Sequence, residues 1–225
     1  MELHRVRRRG PYQNGEVGRR QIITVATAVF GTDGYVGGSL RQIAAQVGVT
    51  EPALLRHFGS KSALLLATLA HWETQMEITE AYPQSIEATG LGLLRAHVAR
   101  RHQLKEPRQL YAVITAEASA YACHPARAFI AERHARQIAL LADLLVDASR
   151  LGETIQLSPA RAQSEACVIL ALLQGLELQC HLDPAANTLA LLDRYLDTAL
   201  RRGTHPLEAN HTSAHPTPLP KEASR

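Results

Sequence analysis

The sequence predicts an all-α fold, and three observations carry that prediction. Ala and Leu dominate the apolar residues, β-branched runs are scarce, and aromatic residues make up only 4% of the 225 residues. Ala and Leu favour helices, whereas strands are enriched in β-branched and aromatic residues. Prolines also stand at the start of several segments of helical periodicity, and glycines stand just after others, which is the usual asymmetry of helix ends.

Periodicity and end signals divide the chain into helices between two turn-rich ends. Residues 1–18 read as a flexible basic arm, and residues 203–225, rich in Pro, His, Ser and Thr, are expected to form a disordered tail. The glycines of GTDGYVGG are expected to end the first helix, and Ser39, Thr50 and Ser60 to cap the next three. The predicted helices cover about 19–30, 40–47, 51–58, 61–82, 84–104, 107–121, 125–151, 159–181 and 187–201.

Composition argues against membrane, metal and enzyme classes. No window approaches the ~18 uninterrupted apolar residues of a membrane span, so we expect a cytoplasmic protein with no membrane partner. Cys123, Cys167 and Cys180 are widely spaced without a CxxC pair, and we expect free, buried thiols in a reducing cytosol. The spacing does not decide whether any of them has a sensing role. Two Cys-His dipeptides are poor chelates because adjacent helical residues point about 100° apart, so no metal and no cofactor is expected. No GxxxxGK[ST], GxSxG or HExxH motif indicates an enzyme.

Positive charge is concentrated at the N-terminal end of the chain. The first 65 residues hold nine Arg or Lys against four Asp or Glu, although the whole chain has a net charge of only +3. An excess of this kind favours binding of a polyanion by the N-terminal third.

The segment VGVTEPALLRHFGSK, residues 47–61, ends one helix and begins another two residues after a glycine. Gly48 supplies the turn, Thr50 the cap, and Pro52 lies in the first turn of a helix about two turns long. So short a helix is unstable alone and must pack on its predecessor, which is the arrangement of a helix-turn-helix. The apolar residues spaced to close the shared core are Ile43, Ala44, Val47, Val49, Leu54 and Phe58.

Two N-terminal stretches, RRQIITVATAVFGTDGY and SLRQIAAQVGVTEPALLRHFGSKSALL, resemble the TetR family of transcriptional regulators. The C-terminal stretches HPARAFIAERH and QGLELQCHLDP resemble ligand-binding regions of that family. The resemblance implies a DNA-binding domain over 19–66 and a helical ligand-binding and dimerisation domain over 67–202. It also implies a homodimer through the last two long helices, either about 125–151 and 159–181 or 159–181 and 187–201.

The implied function is a ligand-responsive repressor that binds a palindromic operator and is released by a small, largely apolar effector. An alternative is a helical dimeric module that binds a ligand or a protein and has a degraded DNA-binding part. Two departures from the family pattern keep this alternative open. Gly38 stands where the family usually has Thr, and Leu55 stands where it usually has Tyr, so two hydroxyl groups are missing.

The candidate DNA contacts follow from their positions on the second to fourth helices. Glu51 has an acceptor for cytosine N4, and Pro52 or Ala53 has apolar surface for a thymine methyl group. Lys61 resembles the family's phosphate-binding lysine, and the N-terminus of its helix favours an anion. The full set is Ser39, Arg41, Gln42, Thr50, Glu51, Pro52, Ala53, Leu55, Arg56, His57 and Lys61.

The effector site is harder to predict, because its residues carry no fixed spacing. Polar or aromatic residues that face the centre of a C-terminal bundle would line it, within walls made largely of Leu, Ala and Val. The candidates are Trp72, Met76, His97, Arg101, Tyr111, Glu117, Tyr121, Phe129, Gln174 and Glu177.

Overall fold

A computed structural model of the chain describes residues 15–79, 90–103, 105–183 and 187–201, and all regular structure in these ranges is helical. The all-α prediction is therefore confirmed. The helices are α1 (Gly15–Gly37), α2 (Leu40–Val47), α3 (Glu51–Phe58), α4 (Lys61–Thr79), α5 (Gly90–Gln103), α6 (Lys105–Ala120), α7 (Arg127–Arg150), α8 (Pro159–Leu182) and α9 (Thr188–Leu196), and a π-helical turn, Asp197–Arg201, follows α9.

The first helix differs from its predicted bounds at both ends. It begins at Gly15, inside the segment expected to be a flexible arm, and it continues through the glycine-rich segment to Gly37. Gly34 interrupts the helix, with a non-helical backbone at φ of 70°, and a last short turn follows it to Gly37. The break expected in this glycine-rich segment therefore lies at Gly34, a few residues after the predicted end. The remainder of the predicted arm and the predicted tail, residues 203–225, lie outside the described residues.

The caps of the next helices follow the sequence, with one exception. The Ser39 hydroxyl accepts a hydrogen bond from Gln42 N, and the Ser60 hydroxyl accepts one from Ala63 N. Gly48 closes α2 in the left-handed conformation that glycine adopts without strain. Thr50 stands at the N-cap of α3 in extended conformation, but its side chain makes no capping hydrogen bond. The expected cap at Thr50 is thus a backbone feature alone.

Two hydrophobic cores divide the molecule, and the division does not follow the order of the chain. The N-terminal core joins α1–α4 to α6 and the start of α7, through residues such as Phe30, Leu65, Leu110 and Ile130. The second core joins α5, α7, α8 and α9. The domain boundary predicted near residue 66 falls within α4 and remains a prediction. Because α1 and α6 share the N-terminal core, a displacement of α6 changes the packing of α1.

The helices α7 and α8 pack side by side and leave an outer face of small and apolar residues. On α8 this face carries Val168, Ala171, Gly175, Leu178 and Leu182, all exposed. The helix α8 is long and apolar enough to cross a membrane, as the core helices of many soluble proteins also are. Only 33% of its most apolar 18 residues are buried within the protomer. The α7 residues on the corresponding side are Ala128, Ala131, Ala135 and Ala139.

The cysteines are exposed or partly exposed, whereas the sequence predicted that they would be buried. Cys123 and Cys167 are exposed reduced thiols, and Cys180 is partly exposed. Cys123 lies in the turn between α6 and α7, and Cys167 lies on the outer face of α8. Helical periodicity alone does not show that one face of a long apolar helix is left uncovered by its own chain.

Candidate DNA-binding surface and ligand cavity

The helices α1–α3, residues 15–58, present α3 on the surface, and we call them the reading head. Leu54 is the buried residue of α3, with 1% of its surface exposed, and it packs in the core that also holds Ile43 and Ala44 of α2. Gly48 makes the turn short enough for the two helices to cross closely. Leu54, with the half-buried Phe58 beside it, therefore holds α3 against the core, and Glu51, Pro52, Leu55, Arg56 and His57 face outwards.

The structure places most of the candidate DNA contacts on one accessible surface. Ala53 and Lys61 are half-buried, and Gln42 is held by a hydrogen bond of 2.8 Å from its Nε2 to Asp33 Oδ2. Leu55 has 38% of its surface exposed. The exposed members of the set are Ser39, Arg41, Thr50, Glu51, Pro52, Leu55, Arg56 and His57.

Lys61 is positioned by the end of α1. Its Nζ lies 4.6 Å from the centroid of the Tyr35 ring and 3.5 Å from the Val36 carbonyl oxygen. The Tyr35 hydroxyl lies 2.8 Å from Ser62 Oγ. The cation is thus held over an aromatic face beside the N-terminus of α4, where an anion is also attracted by the backbone N–H groups.

Two arginines near the start of α1 extend the basic surface, and neither was among the candidate contacts. The guanidinium of Arg19 lies 5.1 Å from the centroid of the Phe58 ring, at the end of α3. Burial, and after it the charges of Arg20 and Arg19, lowers the pKa of His71 on α4. The sequence signal was present in the Arg-Arg pair, but the contact with α3 required the fold.

Gly38 is sterically required here, so the missing hydroxyl has a structural reason. A Cβ atom at residue 38 would lie 2.9 Å from the Gly34 carbonyl oxygen and 3.1 Å from Val29 Cγ1. The Gly38 N–H donates to that same Gly34 oxygen over 3.1 Å. The kink of α1 brings this oxygen so close that only glycine fits.

We expect Gly38→Thr to lower the free energy of unfolding by about 1–3 kcal/mol, because it overpacks a closed site. Restoring the residue that the family usually has would therefore not restore a cap. Chemical denaturation measures the effect. Gly37→Ala is the matched control, since its Cβ would meet Asp33 Cβ at an ordinary 3.5 Å; equal stability of Gly38→Thr and the wild type would contradict the steric argument.

The kink of α1 is held from α6 by Glu117. Its Oε2 accepts a hydrogen bond of 2.7 Å from Tyr35 N, and its Oε1 accepts a longer one of 3.4 Å from Val36 N. A Cβ on Gly34 would come within 2.2 Å of the same carboxylate. Glu117, a candidate effector contact in the sequence, thus contacts the reading head and not the cavity described below.

His124 supports this carboxylate from the turn after α6. Its ring is buried, and Nε2 lies 3.4 Å from Glu117 Oε2. Its Nδ1 accepts a hydrogen bond from Ala126 N over 3.2 Å, whereas Nε2 is buried and makes no hydrogen bond among the described residues. The ring also stands edge-on to Tyr35, with 5.3 Å between centroids.

A buried ionic cluster joins α4, α6 and α7. Arg133 Nε donates to Glu73 Oε2 over 2.9 Å, and the guanidinium lies 4.0 Å from the centroid of the Tyr111 ring. The Tyr111 hydroxyl lies 3.0 Å from the Leu69 carbonyl oxygen and 3.1 Å from Glu73 Oε2. Burial raises the pKa of Tyr111, so the phenol keeps its proton and remains a donor. Glu73 and Arg133 were not among the residues predicted from the sequence; a charge on the apolar stripe of each helix was the available signal.

A cavity of about 200 Å³ opens beside this cluster, between α6, α7 and α8. Arg133, Gln174 and Glu177 supply its charged and amide groups, and Gln174 Nε2 lies 2.8 Å from His134 Nε2. The remaining lining residues are Tyr111, Ala112, Thr115, Ala116 and Leu178. The cavity can take a small, mainly apolar molecule with a polar group at one end.

The other candidate ligand residues lie elsewhere. Trp72 donates to Thr27 Oγ1 over 2.7 Å and packs with Phe129 against the N-terminal core. His97 is buried in α5, and Tyr121 is exposed. Met76 and Arg101 belong to α4 and α5, but their side chains lie outside the described residues. Within the ranges that the structure describes, no three His, Cys, Asp or Glu side chains converge to hold a metal ion.

The geometry of α2 and α3 defines a helix-turn-helix protein, and residues 22–68 match the family described as bacterial regulatory proteins, tetR family. Residues 22–68 are thus similar to the N-terminal domain of that family, and the all-helical fold agrees with it, which confirms the resemblance seen in the N-terminal part of the sequence.

Solved structures share this fold at low sequence identity. A Saccharomonospora viridis protein in complex with choline has a TM-score of 0.71 and 16% identity, covering 82% of this chain and 98% of that one. A TetR-family regulator from Agrobacterium tumefaciens has a TM-score of 0.71 and 18% identity, over 84% and 100%. Reduced Escherichia coli NemR has a TM-score of 0.67 and 19% identity, over 82% and 97%.

Proposed function

We propose that the protein is a ligand-responsive transcriptional repressor that binds a palindromic operator as a homodimer. A small, largely apolar effector releases it from DNA, and it acts in the cytoplasm, on the nucleoid when DNA-bound. The observation that carries the proposal is the exposure of α3: Leu54 anchors the helix, while Glu51, Pro52 and Arg56 face solvent. A short helix held from one side and charged on the other is suited to a major groove.

In the proposed complex the N-terminal end of α3 enters the major groove. Glu51, Pro52 and Ala53 then meet base edges, and Arg56 and His57 lie further along the same helix. Ser39 and Arg41 at the start of α2, with Lys61 at the start of α4, contact phosphates and fix the register without reading sequence. Arg19 adds a further cation beside Phe58.

The proposed dimer forms through the outer face of α7 and α8, the first of the two helix pairs expected. This face is apolar and is built of small residues that allow close approach of helices. The alternative pair, α8 and α9, is less suitable, because Leu192 and Leu196 of α9 are buried within the protomer. Two reading heads would then be spaced by about 34–36 Å on one face of a duplex.

The proposed effector site is the cavity between α6, α7 and α8. Its volume of about 200 Å³ is below the roughly 300–1,000 Å³ of most ligand pockets. An effector of ordinary size must therefore displace a wall as it enters. Linkage requires that an effector which prefers the displaced state weakens DNA binding as much as DNA weakens effector binding.

The test is retardation of duplex DNA that the protein itself selects from random-sequence fragments. We expect binding to weaken steeply as salt rises, and Arg56→Ala and Lys61→Ala each to reduce the salt slope by about one. Arg150→Ala is the control, since that arginine is exposed on α7 and pairs only with Asp147 in the described contacts. Binding that none of these changes affects would contradict the assigned surface.

The alternative function predicts a different result from the same experiment. The exposed apolar side chain of Leu55 is the observation that favours this alternative, a ligand- or protein-binding module whose reading head no longer binds DNA. In that case the wild type selects no duplex at any salt concentration, although it remains dimeric.

A further inference from the structure

One carboxylate links the helix that lines the cavity to the kinked segment of the reading head. Glu117 accepts hydrogen bonds from Tyr35 N at 2.7 Å and Val36 N at 3.4 Å. These amides follow the kink at Gly34, where the helix no longer supplies their usual partners. Tyr35 N is partly buried, and a buried N–H without an acceptor is costly, whereas Val36 N is exposed. The position of Glu117 therefore fixes Tyr35 at the end of α1 and, through the short link at Gly38 and Ser39, the start of α2.

The cavity wall and the carboxylate belong to the same helix. Ala112, Thr115 and Ala116 of α6 line the cavity, and Glu117 follows immediately on the side that faces α1. A displacement of α6 by an occupant of the cavity therefore moves the carboxylate as well. The buried His124 ring lies beside the same Oε2 oxygen, with Nε2 at 3.4 Å, and limits the space into which the carboxylate can turn.

We propose that Glu117 is the positioning residue through which occupancy of the cavity changes the position of the reading head. This inference rests on the proposed function and adds its mechanical link. With the cavity empty, the carboxylate holds Tyr35 and Val36, and the heads have the spacing that DNA requires. When an occupant shifts α6, the two hydrogen bonds lengthen, and α1, α2 and α3 lose their common position.

The test is a double-mutant cycle that needs no identified effector. Ala112→Phe places a ring in the cavity and stands for an occupant, and Glu117→Gln keeps the shape of the side chain but removes its charge and one acceptor. We expect Ala112→Phe to weaken binding of the selected duplex by at least about fivefold in the wild-type background. In the Glu117→Gln background the hold on the end of α1 is already weakened, and we expect Ala112→Phe to change binding there by less than about twofold. Asp147→Asn, at an exposed position of α7, is the control for loss of a carboxylate.

Hydrogen exchange of individual amides provides a readout that does not depend on DNA. The amides of Tyr35 and Val36 are expected to exchange faster in Glu117→Gln and in Ala112→Phe, whereas the Ile43 amide, bonded to the Ser39 oxygen, keeps its rate. If Ala112→Phe does not fold, Ala116→Phe in the same wall replaces it. Additive effects in the cycle, or unchanged exchange at Tyr35 and Val36, overturn the proposal. A wild type that binds no duplex would instead contradict the proposed function. The exchange experiment would still show whether a change in the cavity wall reaches Tyr35 and Val36 through Glu117.

Discussion

Gly175→Glu is expected to separate the dimer into monomers and to lower operator affinity by about a hundredfold or more, because two half-sites no longer act together. Gly175 lies on the outer face of α8 between Ala171 and Leu178. A carboxylate in an apolar interface would be buried without a partner, which costs several kcal/mol. The dimer would lose that energy twice, once in each protomer.

The protomer itself is expected to tolerate this substitution. A Cβ on Gly175 meets nothing within 4 Å in the described part of the structure. Replacing a helical glycine also favours the helix by up to about 1 kcal/mol. Loss of DNA binding with retained helicity would thus be attributable to the interface.

Sedimentation or light scattering measures the oligomeric state, and retardation of the selected duplex measures affinity. Ala190→Glu on α9 is the matched control, because it adds the same charge at an exposed position outside this face. A Gly175→Glu protein that stays dimeric and binds DNA normally would show that α7 and α8 do not form the interface.

The reading head was predictable from the sequence because its signals are local. Ser39 and Ser60 cap their helices as expected, and Gly48 makes the turn that its position indicated. The kink of α1 was not predictable in the same way. A run of glycines normally ends a helix, and here Gly34 does break the regular backbone, but a further turn follows to Gly37 and its amides at Tyr35 and Val36 donate to Glu117, far along the chain.

The lining of the cavity was only partly predictable, since it depends on which helix faces meet. Among the candidate ligand contacts, Tyr111, Gln174 and Glu177 lie in the cavity wall, whereas Trp72 and Phe129 pack against the N-terminal core. Periodicity identifies a buried face but not the neighbour that covers it. The unexpected sharing of one core by α6 and the reading head is the feature that makes a mechanical link between cavity and DNA surface physically reasonable.

Glu73→Leu is expected to lower the free energy of unfolding by about 3–5 kcal/mol, since it leaves the buried charge of Arg133 without its partner. Only 3% of the surface of Arg133 is exposed, and its Nε lies 2.9 Å from Glu73. The change also removes an acceptor from the Tyr111 hydroxyl. Chemical denaturation at a fixed protein concentration measures the loss, because dimerisation makes the apparent stability depend on concentration.

Removal of both charges separates the cost of a stranded ion from the value of the pair. The double variant Glu73→Leu/Arg133→Leu is expected to recover most of the lost stability, because an apolar pair fills the site without desolvating a charge. Asp147→Ala is the comparison, since it breaks an exposed pair with Arg150, 3.1 Å long, and is expected to cost no more than about 1 kcal/mol. If the double variant is no more stable than Glu73→Leu, the stabilisation comes from the packing of these side chains and not from charge compensation. Burial, and not the ion pair as such, therefore determines how much these two salt bridges contribute.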